Sequence, residues 1–153
     1  MQKAYKILAH TIAGLVTIQA AVMVFAVAGL FYWIEEDEGF LDKGVIEGWD
    51  ADPPTWMGAI GVPIHGMSGM FLIPLLGLVL LIISFFAGVR GGTKWAGIVL
   101  GLIVVQVALG LFAHGAPALG LLHGINAFLL FYAAISAGRA AKTTSVDEPA
   151  MVG

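Results

Sequence analysis

The 153-residue chain has no cysteine, so disulfides, iron–sulfur clusters, thiolate metal sites and cysteine nucleophiles are all excluded. Any metal must be held by histidine, methionine or carboxylate. Charge is also scarce: charged residues make up 11% and hydrophobic residues 59%, far from the roughly half apolar and quarter charged make-up of a soluble domain. The charges that exist are clustered, which makes the formal net charge of −3 uninformative. No basic stripe offers a footprint for nucleic acid. No Asp or Glu lies deep in any long apolar run, which argues against a proton pump or cation transporter built on intramembrane carboxylates. Lys3 and Lys6 precede the first apolar run, but no small-residue cleavage site follows at the right distance, so that run is expected to be retained.

What the chain does have is four segments long and apolar enough to cross a bilayer, which takes about 20 residues. They are expected at about 7–33, 56–89, 95–113 and 118–138. Tyr32, Trp33, Trp56 and Trp95 fall at their ends, where interfacial aromatics belong. The second is longer than a span requires, which suggests tilt, and Pro74 is a candidate kink. Residues 1–142 thus read as an all-α, integral membrane four-helix up-down bundle, and 143–153 as a disordered cytoplasmic tail. Lys3, Lys6, Arg90, Lys94, Arg139 and Lys142 flank one side and only Lys43 the other. The positive-inside rule therefore places both termini in the cytoplasm, with the chain multi-pass in the cell membrane. The links Gly91-Gly92-Thr93 and Gly115-Ala116-Pro117 are short, so consecutive helices are expected to be antiparallel neighbours.

The outer loop, about 34–55, carries Glu35, Glu36, Asp37, Glu38, Asp42, Glu47, Asp50 and Asp52 against Lys43. Such a run is mostly a solvated cap; a docking surface for a basic partner is the sharper alternative. A weak internal repeat also appears. His65-Gly66-Met67-Ser68-Gly69 in the second span matches His123-Gly124-Ile125-Asn126-Ala127 in the fourth, and Gln19-Ala20-Ala21-Val22 in the first matches Gln106-Val107-Ala108-Leu109 in the third. The chain reads as two pseudo-repeated helical hairpins related by an axis along the membrane normal.

Ionisable groups inside spans are costly, which makes the histidines the functional candidates. His65 is expected about nine residues into its span and His123 about five into its own, roughly 13 and 8 Å from the outer ends. Two imidazoles facing each other across a bundle can supply both axial ligands of a haem iron. Gly61, His65 and Gly69 share a helix face, while Gly120, Gly124 and Ala127 surround His123, and a flat macrocycle needs such space. The plainer readings are interhelical hydrogen bonding by the histidines and helix packing by the glycines. His114, at the outer end of the third span, is a candidate propionate donor, a replacement ligand or a wet surface residue. His10 has no intramembrane histidine at its depth and is expected to be interfacial. Met23, Met67 and Met70 read as packing residues. Gln19 and Gln106 need partners, across helices or on a quinone, and Asn126 sits close to the face of His123.

A histidine early in the second span and another early in the fourth resembles one four-helix half of heme A synthase. The stretch from Val105-Gln106 through Gly110 to Leu122-His123 and Ala127 also resembles small bacterial and archaeal four-helix membrane proteins related to that fold. The resemblance covers about residues 65–136. It implies that His65 and His123 ligate haem. The catalytic half of the synthase has a glutamate three residues before its second-helix histidine, where this chain has Val62, and the cysteine pair of some synthases is missing. The resemblance is therefore to the half that only holds haem b, and heme A synthase activity is not expected.

The residues lead to a membrane b-type cytochrome with one haem b on His65 and His123, flanked by Gly61, Gly66, Gly69, Gly124 and His114. With both axial positions filled, electron transfer is favoured over bond-making chemistry. The expected partners are membrane lipid, a quinone, other subunits of a respiratory or photosynthetic complex, or an outer-side electron-transfer partner. The alternative is a cofactor-free accessory subunit of a larger membrane complex.

Overall fold

In a computed structural model, which describes residues 1–49 and 51–144, the chain is all-helical. Its elements are α1 (Gln2–Glu36), α2 (Lys43–Gly48), α3 (Gly61–Met67), a π-turn (Ser68–Leu72), α4 (Ile73–Ser84), α5 (Gly92–Ala113) and α6 (Ala118–Thr144). Among the described residues four helical stretches are long and apolar enough to cross a membrane: Gln2–Glu36, Gly61–Ser84, Gly92–Ala113 and Ala118–Ala141. Large apolar side chains stand exposed on each of them, among them Val24, Phe71, Phe112 and Phe128, the last 79% exposed. Water would not tolerate such surfaces at this density, whereas lipid does. The chain is a multi-pass membrane protein with four long apolar helices, compatible with a four-helix membrane bundle.

The boundaries differ from the sequence reading where local chemistry overrides hydropathy. The second span begins at Gly61 rather than 56 and ends at Ser84 rather than 89. Trp56, expected as its interfacial start, lies in the preceding loop, and 85–91 form the turn into α5. Gly91, with φ of 69°, adopts the left-handed conformation that starts α5 at Gly92 instead of 95. Helix α1 runs from residue 2 to 36, outlasting its apolar stretch of 7–33. At the C-terminal end α6 reaches Thr144, so the tail expected from 143 does not start there, and its remainder, 145–153, lies outside the described residues. Pro63 falls in the first turn of α3, where its missing N–H is not needed. Pro74 does need an accommodation. The π-turn directly before it loosens the backbone ladder where a proline leaves a carbonyl without a donor.

The chain divides into two compact units. The first comprises Met1–Thr17 and the residues from Gly69 onward; the second is Ile18–Ser68. In the first unit the core is a continuous apolar cluster. Tyr5, Ala9, Ile12 and Ala13 come from one face of α1, with Ile73 and Leu80 from α4, Ala96, Val99 and Ile103 from α5, and Leu130, Ala133, Ala134, Ala137 and Ala141 from α6. Alanine dominates the α6 contribution because small side chains let helix backbones approach closely in lipid, where packing rather than water exclusion drives association. The buried Tyr5 hydroxyl donates to the Gly92 carbonyl at 2.9 Å, pinning the start of α5 to α1.

In the second unit, Gly61 of α3 sits against the Val22 carbonyl and Ala26 of α1 so closely that no Cβ would fit. The loop here is folded. Asp42 caps α2 by accepting from the Val45 N–H at 2.8 Å, and Trp56 stacks on Trp33 and meets Trp49 edge-on. The Trp56 indole N–H donates to the Ala26 carbonyl at 3.3 Å. Glu35, Glu36, Asp37, Glu38, Asp42, Glu47 and Asp52 all stay exposed, in keeping with a solvated acidic surface; Asp50 lies outside the described residues.

Candidate functional site

His65 and His123 are held by the same device, each within its own unit. In the second unit, His65 lies four residues past the start of α3, a rise of roughly 6 Å rather than the 13 Å expected from a start at 56. Its Nδ1 lies 3.2 Å from the backbone carbonyl of Gln19 on α1. In the first unit, His123 lies five residues past the start of α6, and its Nδ1 lies 3.0 Å from the backbone carbonyl of Gln106 on α5. A carbonyl can only accept, so each contact requires the N–H to be on Nδ1. That tautomer puts the lone pair of each ring on Nε2. Histidines that bind metal through one ring nitrogen commonly give the other N–H to a carboxylate, a backbone carbonyl or water, which fixes the ring plane and raises ligand basicity.

The correspondence extends one turn further. Ser68, three residues after His65, accepts from Gln19 Nε2 and donates to the Ile64 carbonyl. Asn126, three residues after His123, donates to Gln106 Oε1 at 2.6 Å and to the Leu102 carbonyl at 2.9 Å. Each glutamine thus uses its carbonyl for the histidine and its side chain for the residue three further on. The polarity of the side-chain link is reversed: the amide nitrogen donates in the second unit and the amide oxygen accepts in the first. Gln19 and Asn126 are buried, and their bonds meet the rule that polar groups in a span find partners within the protein.

The surroundings of the two rings are not identical. Gly110, one turn beyond Gln106, lies under His123; a Cβ there would stand 3.1 Å from Cε1 and 3.3 Å from Nδ1, so the glycine makes room for the ring. Gly66 and Gly124, each following its histidine, have open space where a Cβ would be. Gly61 is used differently from the groove floor suggested by its spacing, since α1 fills its free side. His114 is exposed at the end of α5, with Nδ1 3.4 Å from the Leu111 carbonyl of its own helix. His10 packs its ring on Gly138 and bonds the Lys6 carbonyl through Nδ1 at 2.7 Å.

Ser68 was missed as a functional candidate, although its place three residues after His65, matching Asn126 after His123, was the available signal. The packing of His10 on Gly138 carried no sequence signal. Among the described residues no three His, Asp or Glu side chains gather as a metal site. No family model, curated protein or solved structure matches the chain.

Proposed function

We propose that this protein is a b-type cytochrome of the cell membrane, an up-down bundle with both termini in the cytoplasm, which holds one haem b through Nε2 of His65 and Nε2 of His123. The matched pair of Nδ1–H bonds to glutamine carbonyls carries the reading. Histidines that served only interhelical hydrogen bonding would not need the same tautomer, the same backbone acceptor and the same glutamine-linked neighbour. The open sides of Gly66 and Gly124 suit a flat ligand beside each imidazole. The bis-imidazole arrangement also agrees with the resemblance to the haem b-holding half of heme A synthase, and Val62 with the absence of synthase chemistry.

Haem bound this way supplies one-electron oxidation and reduction. The protein's part is to present two oriented imidazoles, exclude water with apolar helices, and tune ligand basicity through Gln19 and Gln106. Electrons would pass between a membrane quinol or a neighbouring subunit and an acceptor or donor on the outer side.

The test is a reduced-minus-oxidised spectrum of the purified protein expressed with haem available, on the native chain and on His65→Ala and His123→Ala. The expected result is a low-spin b-type spectrum in the native chain, lost or turned high-spin in either variant. An unchanged low-spin spectrum in both variants would overturn the ligand assignment. No pigment in the native chain would favour a cofactor-free accessory subunit.

A further inference from the structure

The first turns of α1 present a cationic face that the haem reading does not use. Lys3, Lys6 and His10 recur at intervals of three and four, which places them on one side of the helix, and Thr11 adjoins them. Together with Ile7 they line a space of about 540 Å³. Lys6 and His10 are half-buried, and Lys3 is exposed. Neither lysine has an ion-pair partner among the described residues, and the first acidic residue of the chain, Glu35, comes at the far end of α1.

The histidine is fixed. Its Nδ1 donates to the Lys6 carbonyl at 2.7 Å, and its ring occupies the place a side chain at position 138 of α6 would need. Only glycine fits there. Arg139, exposed and next in sequence, adds a fourth cationic or titratable group at that end of the unit. Generic interfacial lysines need none of this: they reach water from any helix end, with no imidazole locked between two helices behind them.

We propose that Lys3, Lys6, His10 and Thr11 form a binding site for the phosphate headgroup of an anionic phospholipid. The chemistry matches on three counts. Two ammonium groups offer several donors to phosphate oxygens, and Thr11 offers a hydroxyl donor. His10, held through its Nδ1–H by the Lys6 carbonyl and packed on Gly138, gives the site a fixed wall. Ile7 and the exposed apolar flank of α1 give the acyl chains a surface to lie on, which a free phosphate would not use. Basic pockets beside transmembrane helices are known to take anionic headgroups, and each cation near the surface contributes roughly a fivefold gain in association.

The test uses the full chain in mixed micelles and in nanodiscs of phosphatidylcholine with a minor share of phosphatidylglycerol, with lipid retention read by native mass spectrometry. Compared are the native chain, the double variant Lys3→Gln/Lys6→Gln, His10→Gln, and Lys94→Gln as a cation at another helix end. The expected result is retention of phosphatidylglycerol over phosphatidylcholine, reduced about 25-fold in the double variant, reduced in His10→Gln, and unchanged in Lys94→Gln. Millimolar inorganic phosphate should not displace the lipid; displacement would assign the site to free phosphate and overturn the proposal. Equal losses in the double variant and in Lys94→Gln would reduce the effect to surface charge and also overturn it. Asp147 and Glu148 follow α6 in sequence. If removing residues 145–153 raises retention in the native chain but not in the double variant, the site belongs to the chain's own acidic segment and the lipid proposal fails.

Discussion

At the scale of single residues, the arrangement turns on which atom of a side chain is already engaged. A histidine whose Nδ1–H is given to a carbonyl has only Nε2 to offer a metal, and its ring plane is set before any metal arrives. Gln106 shows how one residue serves two ends, its carbonyl accepting from His123 and its amide oxygen from Asn126. Asn126 is buried and spends its amide hydrogens on Gln106 and the Leu102 carbonyl, so removing it strands an acceptor inside a span. Interhelical hydrogen bonds in membranes contribute about 0.6 to 2 kcal/mol. We expect Asn126→Ala to destabilise the protein by about 1 kcal/mol, measured as the midpoint of denaturation by dodecyl sulfate in mixed micelles. A midpoint equal to that of the native chain would mean that the bond to Gln106 contributes nothing. His65 and His123 were legible in the sequence as candidates because ionisable residues are rare in apolar runs. Their tautomers were not, because they depend on which carbonyl of another helix comes within reach.

At the scale of elements, close approach is bought with glycine. Gly77 of α4 faces α5, and a Cβ on it would stand 2.5 Å from Ile103 Cδ1 and 3.3 Å from Leu100 Cδ1. Ile103 is 1% exposed and closely packed, so it has little room to yield. Gly77→Val should therefore cost about 1–3 kcal/mol through overpacking, where an exposed glycine-to-valine change would cost little. Gly101 of α5 has open space around its Cβ position and is the control. Equal effects of Gly77→Val and Gly101→Val in the same denaturation assay would show that α4 and α5 are not in this contact. The π-turn at Ser68–Leu72 is a second lesson of this scale. Hydropathy reads residues 56–89 as one apolar run, yet Pro74 forces a local change of helix type within it. The loop before it, written in acidic residues, contains a short capped helix and two tryptophans, Trp49 and Trp56, clustered with Trp33 of α1, which composition could not reveal.

At the scale of the whole molecule, the distribution of charge predicts the topology. On the proposed topology the cations Lys3, Lys6, Arg90, Lys94, Arg139 and Lys142 fall on one side and the acidic loop on the other. Because the chain has no cysteine, single cysteines report this without background. We expect Thr93→Cys to react with a membrane-impermeant maleimide only after the cells are opened, and Asp37→Cys to react on intact cells. The reverse pattern, or both sites reacting on intact cells, would overturn the orientation. The number of spans was legible from the sequence because bilayer thickness demands about 20 apolar residues whatever the fold. Boundaries were less so: Gly61 and Gly91 mark where backbone conformation, rather than hydropathy, starts a helix. The sequence by itself determined that this chain lives in a membrane and marked its histidines as the candidates for chemistry, since lipid and the missing cysteines leave few other groups. Only the tertiary structure decided that Gln19 and Gln106 hold those histidines, that Gly61 packs on Val22 and that His10 rests on Gly138, because such contacts join residues that no periodicity or spacing brings together.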